Sequence, residues 1–285
     1  MQNGVNETHS SKQTIGSLLL QAGKIKPEDA DRILATQKQY GIKFGDAALK
    51  LGLITDQDIK QIVSQQFDFD CLSVDDDSIS NKVIAAFQSF GEGVEALRGV
   101  RGQLTLRWFT ENKILVISPV QAGCGASYVA SNLAVLFSQL GQKTLLIDAD
   151  MREPSQLGLF KMAEKSGLSD LIAGRVSLSV VATHPVLSNL SILSAGTVPP
   201  NPLELLGQPR FKSILASLEE QYDIVLIDSP AIEEHCDAQI LSSLTKGALL
   251  ISKKDETKIS EIKQATQKIV VAGAQPVGIV LNTFK

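Results

Sequence analysis

The segment Gln121–Tyr128, reading QAGCGASY, lies between an apolar run at Lys113–Ile117 and a long helical pattern at Ala126–Leu140. Glycines between a strand and a helix let backbone N–H groups close around phosphate oxygens, and a hydroxyl just inside the helix can hold Mg²⁺. Gly123, Gly125 and Ser127 stand in those places. A working phosphate loop also carries a Lys immediately before the hydroxyl. Here that position is Ala126. Two more apolar runs end in carboxylates: TLLIDAD supplies Asp148 and Asp150, and YDIVLIDSP supplies Asp228. A carboxylate at the carboxyl end of a strand, beside a phosphate loop, can hold Mg²⁺ directly or through water. One such aspartate is as well explained by capping the next turn. Three around one loop favour a metal–nucleotide site.

These groups meet only if the surrounding elements form a parallel sheet. Strands are predicted at Lys113–Ile117, Thr144–Asp148, Leu190–Leu193, Ile224–Asp228, Ala248–Ser252 and Val277–Leu281. Helical patterns fall near Ala126–Leu140, Gly167–Ala173, Pro202–Glu220, Asp237–Leu244 and Thr257–Ala272, and a helix from Glu92 to about Arg107 precedes them. Short apolar strands alternating with amphipathic helices indicate an α/β domain with a mostly parallel sheet covered on both faces. Ligands of such sheets bind beyond the carboxyl ends of the strands, so the loop at Gln121, Asp148 and Asp228 should converge there.

The 285 residues, 44% hydrophobic and 20% charged, suffice for one well-filled domain and a smaller one. A net charge of −4 gives no reason to expect nucleic acid as a partner. The longest apolar stretch, Ile114–Leu140, is broken by Gly123, Gly125, Asn132 and Gln139, which excludes a membrane-spanning run. The polar start MQNGVNETHSSKQT lacks the apolar centre of a signal peptide. Cys71, Cys124 and Cys236 are too few and too scattered for a disulfide framework or a metal cluster. A reduced, cytoplasmic protein is expected.

An internal repeat opens the chain. Thr14–Gln37 and Lys43–Gln66 are each 24 residues, lie five residues apart and superimpose at an offset of 29. Gly16 then meets Gly45, Gly23 meets Gly52, Ile25 meets Ile54 and Ile33 meets Ile62. Each half reads as a short helix ended by Gly23 or Gly52 and then a second helix, with Pro27 suited to a first helical position and Thr55 with Asp58 resembling a capping box. The expected organisation is a disordered start at 1–13, a helical tandem-repeat domain at 14–67, a linker at 68–91 with one short helix around Lys82–Phe90, and the α/β domain at 92–285.

The run GQKTLLIDADMREP, then GLSDLIAG, GTVPPNPLELLGQPRF, YDIVLIDSP with Asp237–Ala238, and VGIVLN resembles, in that order, the bacterial tyrosine kinases of exopolysaccharide assembly, of the chain-length-determinant type. The match covers roughly residues 92–284. It implies a P-loop NTPase-like fold that uses ATP or ADP with Mg²⁺. Gly123, Cys124, Gly125, Ala126, Ser127 and Tyr128 then take the phosphate-loop places, with Ser127, Asp148 and Asp228 as metal-binding positions. Asp148 and Asp150 match the family's second aspartate motif, which coordinates metal and activates the tyrosine hydroxyl, and Asp228 its Walker B carboxylate. The resemblance puts Arg152 near the phosphates, with a salt bridge inside the domain as the alternative. It puts Asn282 at adenine, with a buried Asn satisfying a loop as the alternative. Glu95, Arg98 and Arg101 match the segment E-x-x-R-x-x-R through which the family assembles into rings; without the resemblance they read as a charged helix face. The implied partner is an integral-membrane polysaccharide chain-length or export protein acting as activator, which would hold this chain at the inner membrane.

Two departures bear on chemistry. Ala126 replaces the phosphate Lys, and Gln121 is not the extra Lys that some relatives of this ATPase class carry earlier in the loop. Tyr40, Tyr128 and Tyr222 are the only tyrosines, so the tyrosine-rich tail that this family autophosphorylates is absent from the sequence. A charge-assisted hydrogen bond is worth about 1.5–3 kcal/mol. A cation on a transferring phosphoryl group is worth roughly 10³–10⁵ in rate. Nucleotide binding with poor intrinsic transfer is therefore expected.

The repeat is similar to the amino-terminal domain of pilus-assembly and type II secretion ATPases (MshE N-terminal type), some of which bind cyclic di-GMP. The resemblance puts Gly16, Lys43 and Gly45 at such a site. The openings here read Thr14-Ile15-Gly16 and Lys43-Phe44-Gly45 in place of the family's Arg-Leu-Gly, and Ala47 and Ala48 stand where bulky apolar residues are expected. Three functional readings follow: a tyrosine kinase, a nucleotide-dependent assembly switch, and a repeat-domain sensor or docking module with the ATPase domain as its output.

Overall fold

The structure is a computed structural model that describes residues 14–56, 58–59, 72–73, 76–88 and 90–283. It divides into two compact units, Met1–Cys71 and Leu72–Lys285.

In the first unit, α1 (Ile15–Gln21), α2 (Pro27–Tyr40) and α3 (Phe44–Lys50) reproduce the repeat in backbone detail. Gly23 and Gly52 have φ of +66° and +67°, a left-handed conformation that costs glycine nothing. The bond from Lys24 N–H to the Leu19 carbonyl (3.0 Å) has its repeat counterpart from Leu53 N–H to Ala48 (3.1 Å). Pro27 occupies the first turn of α2. Thr55 and Asp58 form the reciprocal cap, Asp58 N–H donating to Thr55 Oγ1 (3.2 Å) and Thr55 N–H to Asp58 Oδ2 (2.9 Å). The predicted second helix beyond it, to Gln66, lies outside the described residues. Leu18, Leu19, Ile25, Ile33, Ala47, Ala48 and Ile54 form the core.

The second unit is a seven-stranded sheet in the order β3-β4-β2-β5-β1-β6-β7. The strands are β1 (Ile114–Pro119), β2 (Thr144–Asp148), β3 (Ala182–Thr183), β4 (Leu190–Leu193), β5 (Ile224–Asp228), β6 (Gly247–Lys253) and β7 (Gln275–Asn282). All pairings are parallel except β3 with β4. Every residue of β1, β2 and β5 is buried, as a sheet covered on both faces requires. One face packs on Leu104, Trp108, Val129, Leu133 and Phe137; the other on Phe211, Leu215, Leu241 and Ile269.

The structure departs from the sequence reading at several points. The span expected as a linker contributes Ile79, Val83, Ala85 and Ala86 to the larger core. Buried Asn132 holds it there, with Oδ1 accepting from Ala85 N–H (2.9 Å) and Nδ2 donating to the Lys82 carbonyl (3.2 Å). Its short helix is α4 (Ile84–Phe87), after which α5 (Glu92–Arg107) begins. The single helix expected over Pro202–Glu220 is two, Pro202–Leu206 and Pro209–Gln221, because Pro209 has no N–H to continue the first and suits the start of the second. The two-residue edge strand β3 was not predicted.

Lys24 Nζ lies 2.7 Å from Asp58 Oδ1, joining the turn of the first repeat to the cap of the second. With the Thr55 hydrogen bonds, this holds the Asp58 carboxyl down at about 2. A depressed carboxyl stabilises above its unfolded value and loses that contribution as pH falls through its folded one. The stability difference between wild type and Lys24→Met should therefore be full above about pH 4 and shrink towards pH 2. Denaturant midpoints of the helical unit at stepwise pH check this; a difference independent of pH would contradict it.

Candidate nucleotide and metal site

β2, β5 and β1 are neighbours, so their carboxyl ends bring the loop after β1 beside both aspartate motifs. Asp148 and Asp228 are register partners across β2 and β5. The loop turns at Gly123 (φ +78°) and at Gly125, whose left-handed backbone (φ +82°, ψ 32°) caps α6 (Ala126–Ser138). A side chain at either position would be strained whatever the space around it. The first N–H groups of α6 have no partners within the helix and carry the positive end of its dipole, the arrangement that accepts a phosphate. Asn282 at the end of β7 fastens this loop, Nδ2 donating to the Cys124 carbonyl (3.1 Å). Ala126 is buried in the core beside Cys124 and Val129.

Asp148 and Asp228 are both fully buried, yet differently served. Asp148 Oδ1 accepts from Asp150 N–H (3.2 Å), and Oδ2 from the N–H groups of Ser155 and Gln156 (2.9 Å each). Burial still raises its carboxyl to about 6. Asp228 Oδ2 accepts from Gln156 Nε2 (2.7 Å), and the Gln156 amide and the nearby Ser127 hydroxyl both act to lower the carboxyl. Its Oδ1, buried too, has no hydrogen-bond partner among the described residues. Burial first, and then the Asp148 charge, push Asp228 up to about 8. An open carboxylate oxygen beside a hydroxyl at the mouth of a phosphate loop fits a hydrated cation. Among the described residues no three His, Cys, Asp or Glu side chains form a metal cage. A cation here would draw its remaining ligands from phosphate and water, as Mg²⁺ commonly does.

Asp150 is half-buried, and its Oδ1 accepts from the N–H groups of Arg152 (3.1 Å) and Glu153 (3.0 Å), shaping the turn after β2. The Arg152 guanidinium donates to Oδ2 of the fully buried Asp237 in the helix Asp237–Thr245. Tyr128 is half-buried, and burial raises its phenol. On α5, Glu95 and Arg98 pair with each other (2.5 Å), while Arg101 donates to the Leu136 carbonyl (2.9 Å) at the end of α6. Arg101 thus has a role inside the fold. Gln156, which touches both aspartates, was missed; an isolated Gln in a turn carries no periodicity or spacing that marks it.

In the helical unit, Gly16 lies under the Phe44 ring, where a Cβ would come within 3.2 Å, and a Cβ on Gly45 would come within 3.1 Å of Ile59. Both glycines answer to close packing. A cavity of about 710 Å³ opens beside Gly16, lined by Ile15, Leu20, Leu34 and Phe44 with Thr14 and Ser17. Lys43 is exposed at the start of α3.

A buried carboxylate with an open oxygen raises the energy of the ligand-free fold. Asp228→Asn should therefore melt at a higher temperature than wild type without ligand near pH 8, while losing most of the melting shift that Mg²⁺ with ADP produces. Scanning calorimetry with and without Mg-ADP checks both. A variant less stable than wild type, or one with an undiminished ligand shift, would contradict the reading.

A family model described as an AAA domain matches residues 112–265. The chain is 36% identical over 190 residues to the putative tyrosine-protein kinase CapB of Staphylococcus aureus, covering 66% of this chain and 83% of that protein. It is 33% identical over 208 residues to a putative tyrosine-protein kinase in the cps region of Klebsiella pneumoniae, covering 73% of this chain but only 29% of that longer protein. The crystal structure of the chimerical protein CapA2B2 superposes with a TM-score of 0.68 at 30% identity, over 78% of this chain and 98% of that one. No helix among the described residues is long and apolar enough to cross a membrane. With the phosphate-loop topology and the paired strand-end aspartates, these matches show that the chain belongs to the bacterial tyrosine-kinase family, built on a P-loop NTPase-like fold.

Proposed function

We propose that this chain is a tyrosine-kinase-like ATPase of exopolysaccharide synthesis and chain-length control that binds ATP or ADP with Mg²⁺ and transfers phosphate weakly by itself. The observation that carries the reading is Asp228, buried, with one oxygen open beside Ser127 at the mouth of the glycine loop. Ser127 and Asp228 would hold the metal, with Asp148 behind them ordering the turn that supplies Gln156. When bound, Mg²⁺ would offset phosphate charge. Asp150 is the carboxylate offered as acceptor for a tyrosine hydroxyl proton, since Asp148 is already committed to three backbone N–H groups.

Ala126 sets the limit. Loop N–H groups and the helix terminus suffice to bind phosphate, but the charge of a transferring phosphoryl group needs a cation aimed at it. Arg152, a candidate substitute, is engaged with Asp237. This favours the assembly-switch reading over an autonomous kinase. Its setting would be the inner-membrane side of an export machine, with an integral-membrane polysaccharide protein as activator and the helical unit docking a partner. For cyclic di-GMP at Gly16, Lys43 and Gly45, the cavity offers Phe44 and backbone at Gly16; among the described residues its lining carries no charged side chain for the phosphates.

Ala126→Lys is expected to raise phosphotyrosine formation by roughly 10³-fold or more, with a smaller gain in ATP affinity. Phosphotyrosine detection alongside ATP titration, with the membrane partner present, tests this. Tighter binding at an unchanged rate would mean that transfer fails for another reason. Assembly through α5 makes a separate prediction. Glu95 is exposed and Arg101 serves the fold, so Glu95→Lys should shift the mass towards monomer in light scattering with nucleotide present, without lowering the melting temperature. An unchanged mass would count against a ring built on this helix.

A further inference from the structure

Gln156 begins the one-turn helix Gln156–Leu159 and is fully buried. Its side-chain nitrogen donates to two acceptors, Asp228 Oδ2 at 2.7 Å and the Ser127 carbonyl at 3.2 Å. Its backbone N–H meanwhile donates to Asp148 Oδ2 at 2.9 Å. One residue thus ties together the ends of β2 and β5 and the first turn of α6. The amide can face only one way, because turning it would set a carbonyl oxygen against a carboxylate and another carbonyl. Its Oε1 is left buried and without a partner, like Asp228 Oδ1. Covalent geometry keeps Oε1 about 2.3 Å from Nε2, so the two unpartnered acceptors belong to one constellation. Buried acceptors without donors are rare, and two on side chains joined by one hydrogen bond call for a donor-rich ligand. A hydrated cation is one.

We infer that Gln156 is a positioning residue of the metal–nucleotide site. It pins Asp228 by Oδ2 against α6, leaves Oδ1 as the oxygen offered to the cation, and presents its own Oε1 as an acceptor for a metal-bound water. This deepens the nucleotide reading above and rests on it. The role needs an amide: a carboxylate would repel Asp228, and an apolar side chain would leave Asp228 Oδ2 with one donor fewer. Residues that orient metal ligands commonly contribute about 10- to 100-fold in metal affinity.

The test measures the affinity of the full chain for ADP by calorimetry, once in EDTA and once in millimolar Mg²⁺. The quantity read is the ratio of the two. Gln156→Met, close in volume but without polar atoms, is expected to lower that ratio by about tenfold or more and to leave the affinity in EDTA within about twofold. Gln156→Asn, which keeps the amide but withdraws it by one methylene, should fall in the same direction and serves if the Met variant does not fold. In an Asp228→Asn background the same substitution should have no further effect on the ratio, because Gln156 acts through Asp228. A ratio unchanged in both folded variants overturns the proposal, as does an undiminished effect in the Asp228→Asn background. Wild type that binds no ADP in either condition overturns the nucleotide reading itself, and this inference falls with it.

Discussion

Two carboxylates face each other across neighbouring parallel strands, and neither reaches water. A buried charge must find donors or remain protonated, and two like charges at adjacent register positions raise the demand further. Asp148 is supplied by the chain that follows it, which folds back so that three N–H groups meet one carboxyl. That return places Gln156 where its amide reaches Asp228, and Asp150 where it fixes the turn carrying Arg152. The geometry of the site is in this sense the solution to a solvation problem. The solution is incomplete at Asp228 Oδ1, and a site that satisfies every atom without its ligand has nothing to gain from binding one.

Ala126 leaves the phosphate loop without the Lys that such loops carry. A helix terminus contributes about 0.3–1 kcal/mol towards an anion, up to about 2 kcal/mol when partly buried. That suffices to retain a nucleotide with the loop amides but not to stabilise charge that develops during transfer. Arg152 is near in sequence to Asp150, yet its ion pair with a fully buried Asp237 is costly to break, since removing one partner leaves the other charge uncompensated. Moving Arg152 towards phosphate would require a compensating donor for Asp237, whose Oδ1 already lacks one. Binding and transfer can therefore separate in this fold more readily than in a loop that carries Lys.

The parts of the fold that were legible in the sequence are those whose period is local. β2, β4 and β5 have the predicted ends because a short, mostly apolar run closed by Asp or turn residues can be read on its face. The convergence of Asp148 and Asp228 followed from the parallel-sheet rule alone. Less legible was anything decided by a distant partner. Ile79, Val83, Ala85 and Ala86 look like a linker because their neighbours are polar, and what they pack against is shown only by distant residues, Asn132 and Gln139 among them. The choice for Arg152 between phosphate and a salt bridge depended on Asp237, 85 residues away. Gln156 is the extreme case, a single amide whose meaning lies wholly in the three elements it joins.

The helical repeat shows the same division between backbone and side chains. Its glycine turns and helix-end hydrogen bonds recur at the offset of 29, because backbone geometry is set by local residues. The side chains do not recur. Leu18 and Leu19 in the first half correspond to Ala47 and Ala48 in the second, and all four are buried. Residues of both motif openings line one cavity, Thr14, Ile15, Gly16 and Ser17 from the first and Phe44 from the second, and the two glycines meet different neighbours, Gly16 the Phe44 ring and Gly45 the Ile59 side chain. The side chains have removed the two-fold equivalence that the backbone repeat created.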